Sequence, residues 1–441
     1  TSVRLPSVGS ALPAHAAGAA LAALALLGLG WSFFLKPDPD VANGNRLVQR
    51  GKAEEALKAY TRAEQRLGRR AQLDYNQGLA YFGLGKYDKA REAFLSASGA
   101  TEVIASGLSN PRGLAFAPNG ALYVAESGRG GDGNCTPSPP QPAVDRCYGE
   151  TGSIARIKPE GGFERILTGL PSLAQASGMA EGGPVDVSFL GTSMFVTMSW
   201  GGDPALRGTL GGKAQLFGTM LHVTPSGALQ VVTDVTKHES RLNPGGDNVD
   251  SNPYGSVALP GRRIIADAGA NALVEVLPNG RTRTFAVPPR LPPLVPGTPT
   301  REPVPTSVVE GPDGAMYVSQ LTAGPFFRGT STVLRVASDG STIETFATGF
   351  TAVVDLAFDA GGALYVLEVA SGLVPGPGAN PGLGNGRLLR KCPGADATVL
   401  LSGLFFSSGV AIGPDGAAYL TNNGVSATEG EVLRLPVAPC P

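Results

Sequence analysis

Short apolar runs separated by turn residues fill the chain from residue 101 onward. A turn rich in Pro, Asn, Asp or Gly followed by an apolar–Tyr–apolar triplet recurs four times, with two weaker copies. The six triplets are Leu122-Tyr123-Val124, Met194-Phe195-Val196, Ile264-Ile265-Ala266, Met316-Tyr317-Val318, Leu364-Tyr365-Val366 and Ala418-Tyr419-Leu420. Short strands with turns at recurring offsets are typical of β-propeller blades, so we interpret each triplet as a second strand.

A second repeated phrase gives the same number of blades. The predicted third strands all carry a polar or charged fourth residue and lie at 153–157, 219–223, 272–276, 332–336, 387–391 and 431–435. No fourth strand follows 431–435, but the phrase that ends the other fourth strands recurs at 103–108. We therefore predict a mainly β fold, a six-bladed β-propeller over 101–441 that is closed by pairing of 103–108 with 431–435.

The N-terminal segment, residues 1–40, contains an uncharged apolar run at 16–35. Twenty such residues are enough for a helix to cross the hydrocarbon core of a bilayer. A cleaved signal peptide is the alternative, although its apolar region is usually about 7–15 residues long. We favour an uncleaved transmembrane helix, which predicts a membrane-anchored protein with its propeller on the periplasmic or extracellular side.

Residues 41–99 show a repeat of small and aromatic positions with a period of 34. The matching sets are Gly44, Leu47, Gly51, Ala53, Ala56, Tyr60 and Ala63, and then Gly78, Tyr81, Gly85, Tyr87, Ala90, Phe94 and Ala97. This pattern resembles a pair of tetratricopeptide repeats, in which small residues let antiparallel helices approach and aromatic rings fill the gap between them. The segment is either a spacer or a docking surface for a protein partner over 42–98.

Several phrases of the third zone go beyond a general propeller pattern. They are residues 109–113, 250–255, 266–273, 305–308 and 421–424. In this order they resemble the ScyD/ScyE family of propellers over about 101–436, and more distantly the NHL-type, streptogramin-lyase and gluconolactonase propellers. The resemblance implies an exported protein of bacterial type, but no established reaction. The N-terminal anchor and helical repeats are not part of that family's pattern.

The cysteines and the charge distribution indicate an oxidising compartment and argue against nucleic acid as a partner. The 35 basic and 36 acidic residues form no block of like charge, so nothing favours nucleic acid binding. Four cysteines lie in predicted loops, and we expect disulfides Cys135–Cys147 and Cys392–Cys440, with free thiols as the alternative. No Cys-x-x-Cys motif or Cys/His cluster indicates zinc.

Candidate site residues lie on two rings around the predicted channel mouth. At the ends of the second strands these are Glu126, Met198, Asp267, Gln320, Glu368 and Asn422. At the starts of the first strands they are Gly113, Asp186, Gly255, Ser307, Asp355 and Gly409. Oxygen ligands at this density suit Ca²⁺, for which Glu126, Asp267 and Glu368 are the candidate ligands, or a small polar molecule. Ordered water and turn capping are the structural alternatives.

Two hypotheses of function follow. The first is a membrane-tethered, non-enzymatic module whose propeller binds a ligand or a protein and whose helical repeats dock a further protein. The second is a metal-assisted lyase or lactonase-like enzyme that acts on a small molecule at the channel mouth. No catalytic motif is assignable, because there is no Gly-x-Ser-x-Gly, no His-Glu-x-x-His and no phosphate loop.

Overall fold

The computed structural model describes residues 38–67, 71–86, 89, 93, 101–139, 141–224, 226–294, 299–324, 326–370, 372 and 383–440. The chain divides into two compact units between Ala97 and Ser98. The predicted anchor at 16–35 and much of the second predicted repeat lie outside the described residues. Within those ranges, no helix is both long enough and apolar enough to span a membrane.

Three helices make up the described part of the smaller unit: α1 Pro39–Gln49, α2 Ala53–Leu67 and α3 Ala71–Gly83. Asp38 caps the start of α1 by accepting the Asp40 backbone N–H at 2.9 Å. A Cβ at Gly44 would lie 2.3 Å from the Tyr60 ring, so α1 and α2 approach closely only because this position lacks a side chain. The Tyr60 hydroxyl donates to Asn45 Oδ1 at 2.9 Å. The Tyr60 ring therefore fills the gap between α1 and α2, as predicted for an aromatic residue of the repeat.

The larger unit is mainly β. Its first described strands are β1 Glu102–Leu108, β2 Pro111–Phe116, β3 Leu122–Glu126, β4 Cys135–Ser138, β5 Gln141–Ile157, β6 Phe163–Gln175, β7 Ala180–Leu190, β8 Ser193–Ser199, β9 Thr219–Val223 and β10 Leu229–Asp234. Then come β11 Pro253–Leu259, β12 Arg262–Asp267, β13 Ala272–Val276, β14 Thr282–Ala286, β15 Pro305–Glu310, β16 Met316–Gln320, β17 Ser331–Val336 and β18 Ile343–Phe350. The last are β19 Val353–Phe358, β20 Leu364–Ala370, β21 Leu383–Lys391, β22 Ala397–Leu404, β23 Val410–Ile412, β24 Ala418–Asn422 and β25 Gly430–Leu435. Helix α4 spans Thr236–Leu242, and 3₁₀ turns span Pro204–Leu210 and Ala214–Leu216.

These strands form a β-propeller. The described strands give four separate four-stranded antiparallel sheets, in the orders β11-β12-β13-β14, β15-β16-β17-β18, β19-β20-β21-β22 and β1-β25-β24-β23. The first strands contact one another in a closed cycle, β2–β7–β11–β15–β19–β23 and back to β2. Apolar clusters fill the space between neighbouring sheets, such as the one built on Ile264, Leu273, Val308 and Val318.

One sheet departs from the predicted set of separate blades. Strands β10-β9-β8-β7 continue through β6-β5-β3-β2, with β4 paired on β5, as a single nine-stranded sheet. The link is a short ladder, Leu173 with Gly182 and Ala174 with Ala180. It exists because the insertion after β3 lengthens β5 to 17 residues and β6 to 13, so that β6 extends as far as β7.

Ring closure occurs through the predicted strand pair. Strand β1 lies antiparallel to β25, with Glu102 opposite Arg434, Ser106 opposite Glu431 and Leu108 opposite Gly430. The sheet that contains the last three strands of the chain is thus completed from the N-terminal side of the propeller, and the prediction from the repeated phrase is confirmed.

A polar triplet explains the repeated turn, tyrosine and arginine of the sequence. Arg434 Nε, from β25, donates to Asp415 Oδ2 at 2.9 Å, and the Tyr419 hydroxyl, from β24, donates to the same atom at 3.0 Å. Asp415 lies in the turn before β24, so three consecutive elements are tied at one end of the sheet. Arg335 and Asp313 form the same contact in another sheet, at 2.7 Å.

Both predicted disulfides are present. Cys135 on β4 lies directly opposite Cys147 on β5, and their bond staples the hairpin of the long insertion. Cys392 directly follows β21, and Cys440 lies beyond β25 near the C-terminal end. The second bond therefore ties the segment that follows the closing sheet to its neighbour sheet.

The closing strand supplies a direct stability test. Leu108 on β1 is fully buried, whereas Val103 on the same strand is 45% exposed. We expect Leu108→Ala to lower the free energy of unfolding by about 2–5 kcal/mol, because it leaves a cavity in the closing sheet. Val103→Ala should change it by no more than about 0.5 kcal/mol. Urea denaturation of both variants checks this, and equal effects would contradict a structural role for β1.

Candidate functional site

The second-strand ring is buried and internally satisfied. Glu126 accepts the Ser109 backbone N–H at 2.7 Å, the Ser153 hydroxyl at 2.7 Å and both Nε and Nη2 of Arg165 at 2.8 and 2.7 Å. Ser109 leads into β2, Ser153 is on β5 and Arg165 is on β6. The Glu126 carboxylate therefore links its own strand β3 to the segment before β2 and to β5 and β6, and it points toward β5 and β6.

The equivalent residue of another sheet repeats this arrangement. Glu368 accepts the Thr351 backbone N–H at 2.8 Å, and Arg387 on β21 donates to its Oε2 from Nε at 2.7 Å. Burial raises the pKa of Glu368, and the Arg387 guanidinium opposes that rise. Each of these two carboxylates thus has its own arginine within its own sheet.

The remaining polar members of this ring also bind their own sheets. Asp267 accepts the Asn252 backbone N–H at 2.6 Å and the Ser251 hydroxyl at 2.7 Å. Asn422 accepts the Phe405 backbone N–H at 2.8 Å and donates to Glu431 at 3.1 Å. Gln320 accepts the Thr332 hydroxyl. In four of the sheets, the residue at this position therefore accepts a backbone hydrogen bond from the segment that leads into the first strand. This is the turn-capping role that the sequence analysis gives as an alternative to ligand binding.

The predicted calcium ligands are not brought together. Glu126, Asp267 and Glu368 lie on β3, β12 and β20, each within a separate hydrogen-bond network. Among the residues that the structure describes, no group of three or more His, Cys, Asp or Glu side chains is placed to hold a metal ion.

The first-strand ring faces the axis. We call Gly113, Asp186, Gly255, Ser307, Asp355 and Gly409 the collar. On five of the six first strands the register with the second strand is interrupted beside the collar residue, between Pro111 and Leu114, Pro184 and Asp186, Pro253 and Ser256, Pro305 and Val308, and Val353 and Asp355. Such irregularities re-aim a side chain. Here they coincide with the collar side chains that line the axial cavity.

A cavity of about 360 Å³ follows the propeller axis. Its walls come from all six first strands, and Asp186, Ser307 and Asp355 are its collar polar groups. Small or apolar residues continue the wall beyond the collar: Ala115, Val257, Val309, Ala357 and Ala411. The volume lies at the lower end of the range of about 300–1,000 Å³ for small-molecule pockets.

Asp186 and Asp355 lie on opposite sides of this channel. They belong to β7 and β19, which are separated by two first strands in either direction around the cycle. Asp186 Oδ2 accepts the Ser256 backbone N–H at 2.8 Å, and Asp355 Oδ2 accepts the Val410 backbone N–H at 2.8 Å. A Cβ at Gly113 would lie 2.4 Å from Asp186 Oδ1, so glycine is required beside that carboxylate. Backbone donors of the neighbouring strands therefore hold both acids in place.

Both collar acids hold their protons unusually tightly. Burial, and then the charge of Asp355, raises the pKa of Asp186 to about 8, although hydrogen bonds from Ser256 oppose this. Burial raises the pKa of Asp355 to about 6. Loss of solvation is the larger cause of the raised pKa of Asp186, and repulsion by the Asp355 charge adds to it.

Two further groups at the collar were not among the predicted site residues. Burial raises the pKa of Tyr254, the Arg112 guanidinium lowers it, and the charges of Asp355 and Asp186 raise it further, so these four groups share one field. Arg112 and Tyr254 each directly precede a collar glycine in the sequence. This position next to a predicted site residue is the sequence feature by which they could have been found.

His238 lies in helix α4. Its ring nitrogens are 3.0 Å from the hydroxyls of Thr282 and Thr284. Burial lowers the pKa of His238, and its 1% exposure separates it from solvent. We therefore assign it a packing role.

Comparison with known proteins finds similarity to solved structures alone. No family model and no curated protein matches the chain, so the resemblances to the ScyD/ScyE family and to tetratricopeptide repeats stay predictions. A streptogramin B lyase structure is 12% identical, with a TM-score of 0.41, over 76% of this chain and 97% of the other. A glucose dehydrogenase is 16% identical, with a TM-score of 0.44, over 77% and 99%. The soluble aldose sugar dehydrogenase of Escherichia coli is 14% identical, with a TM-score of 0.43, over 76% and 99%. Likeness at this level carries no argument about fold or activity.

The clamp on the second-strand ring can be tested in one sheet. We expect Arg165→Ala to lower the free energy of unfolding by about 3 kcal/mol, because it leaves the fully buried Glu126 carboxylate without its cation. Arg156→Ala is the matched control, since Arg156 pairs with Glu164 at the surface and should matter little. Urea denaturation separates the two, and an Arg165 variant as stable as the control would contradict the clamp.

Proposed function

We propose that the propeller is a binding module for a small polar molecule and that its site is the axial channel. The observation that carries the proposal is the pair of aspartates, Asp186 and Asp355, held on opposite walls of a cavity of about 360 Å³. Each carboxylate is fixed by a backbone donor from a neighbouring strand. Acceptors held in advance lose little freedom when a ligand donates to them, which favours affinity.

We infer that each of the six first strands heads one blade, so that the nine-stranded sheet is two joined blades. The closed cycle of first strands supports this interpretation. A ring of six first strands leaves an axis wide enough for the collar to line a cavity, and the three collar glycines let neighbouring first strands pack closely, because a Cβ at any of them would meet an atom of the next strand.

A second candidate is an enzyme, lyase or lactonase-like in type. The observation that favours it is the unequal pair of pKa values, about 8 for Asp186 and about 6 for Asp355. Carboxyl groups whose pKa values are pushed apart can act as acid and base on one bound molecule near neutral pH. Binding in the channel is the first step of either function.

We also propose that the chain is tethered to a membrane through residues 16–35, with the propeller on the periplasmic or extracellular side and residues 42–98 docking a protein partner. The twenty uncharged residues of the apolar run support the tether. The two disulfides support an oxidising compartment.

Channel binding is tested with a panel of small polar compounds and a thermal-shift readout. At least one compound should raise the melting temperature of the parent, because a ligand that binds only the folded state stabilises it. The double variant Asp186→Asn, Asp355→Asn should lose that shift. The control Asp313→Asn, Asp415→Asn alters turn aspartates outside the cavity and should keep it. A shift retained by the channel variant, or no shift in the parent, would contradict the proposal.

The tether is tested by fractionating cells that express the full chain. The chain should stay with membranes after alkaline extraction, and a variant lacking residues 16–35 should be recovered in the soluble fraction. Release of the full chain by alkali would contradict an inserted helix.

A further inference from the structure

The axial channel is amphipathic along its length. The collar contributes Asp186, Ser307 and Asp355, whereas the residues two positions further along the first strands are mainly apolar. These are Ala115, Ser188, Val257, Val309, Ala357 and Ala411. The Ser188 hydroxyl is 3.2 Å from the Ser256 hydroxyl, so its polarity is directed into the wall. Beyond this level the cavity reaches aromatic side chains, Phe116, Phe189 and Phe358.

The polar end of the channel has an excess of acidic groups. Asp186 and Asp355 interact with each other, and Tyr254 interacts with both of them and with Arg112. Arg112 Nη2 donates to the Ala180 carbonyl at 2.6 Å, so one of its donors is already used. With both aspartates ionised these four groups carry two negative charges and one positive charge. A cation between the two aspartates would relieve their repulsion.

We propose that the channel takes a small primary alkylammonium ion, with its nitrogen between Asp186 and Asp355 and its alkyl chain along the apolar wall. This inference rests on the proposed binding function and names the ligand class. The ammonium group supplies three N–H donors to fixed acceptors on opposite walls. The chain removes apolar surface from water against Val257 and Val309.

The two ends of the channel together exclude other classes. A carboxylate or phosphate would face two aspartates of like charge. A neutral alcohol would leave the repulsion between the acids in place. A bare metal ion would make no use of the apolar wall, and the described residues place no third carboxylate or histidine with the pair.

Isothermal titration of the full chain with alkylammonium chlorides tests the inference. Butylammonium should bind the parent, and Asp186→Asn and Asp355→Asn should each weaken it at least tenfold. Butanol and butyrate, at equal chain length, should bind at least tenfold more weakly than butylammonium. The control Asp313→Asn should leave the affinity for butylammonium unchanged.

Chain length and pH give two independent readouts. From methylammonium to butylammonium, affinity should rise roughly threefold to fourfold per methylene, and Val309→Thr should reduce that gain. Affinity should also rise between pH 5 and pH 8, as Asp355 and then Asp186 lose their protons while the ammonium stays charged. The other groups that face the pair are Arg112 and Tyr254, and burial raises the pKa of Tyr254, so that it stays neutral in that range.

The possible results separate this inference from the function on which it rests. Butylammonium that binds no better than butanol, or that binds the two Asn variants as well as the parent, overturns the ammonium assignment. If neutral polar compounds still bind the parent in that case, the channel remains a binding site. If no compound binds, both proposals fail.

Discussion

The pairing of β1 with β25 is the interaction on which the propeller depends. A ring of sheets is stable only if its last sheet packs against its first, and here the last sheet has three strands from the C-terminal end and one from the N-terminal side. Leu108, at the end of β1, is fully buried in the cluster that also contains Leu114 and Val124 of the first sheet. Closure thus fixes the cycle of first strands, and that cycle is what creates an axial cavity.

Two rings of polar side chains lie near the axis, and their hydrogen-bond partners separate their roles. At the ends of the second strands, Glu126 and Glu368 turn toward arginines of outer strands in their own sheets. On the first strands the register is interrupted beside the collar, and Asp186 and Asp355 line the cavity. One ring therefore stabilises the sheets, while the other lines the cavity that we propose as the binding site.

Much of the fold was predictable because short sequence motifs specify its strands and turns, and these motifs recur along the chain. The turn, tyrosine and arginine phrase marks Asp415, Tyr419 and Arg434 as neighbours, and the displaced copy at 103–108 predicts closure. The disulfide pairs followed from cysteines in adjacent loops. The joining of two predicted blades was not predictable, because it depends on how far β5 and β6 extend beyond the insertion.

The site was predicted only in part, for a physical reason. The direction of a strand side chain changes with a shift of one residue, and the sequence does not show where a ladder slips. The structure places Asp186 and Asp355 in the cavity wall, whereas Glu126, Asp267 and Glu368 form hydrogen bonds within their own sheets. Arg112 and Tyr254 were missed because their approach to the acids depends on packing between strands far apart in sequence.

Asp186 lines one channel with Asp355, and the charge of Asp355 adds to the effect of burial on the pKa of Asp186. Carbon-13 NMR of the aspartate carboxyl groups measures this directly as a function of pH. We expect a titration midpoint near pH 8 for Asp186, shifted downward in the Asp355→Asn variant, because the neighbouring charge is then absent. A midpoint near the ordinary aspartate value of about 3.9, unchanged by that substitution, would contradict it.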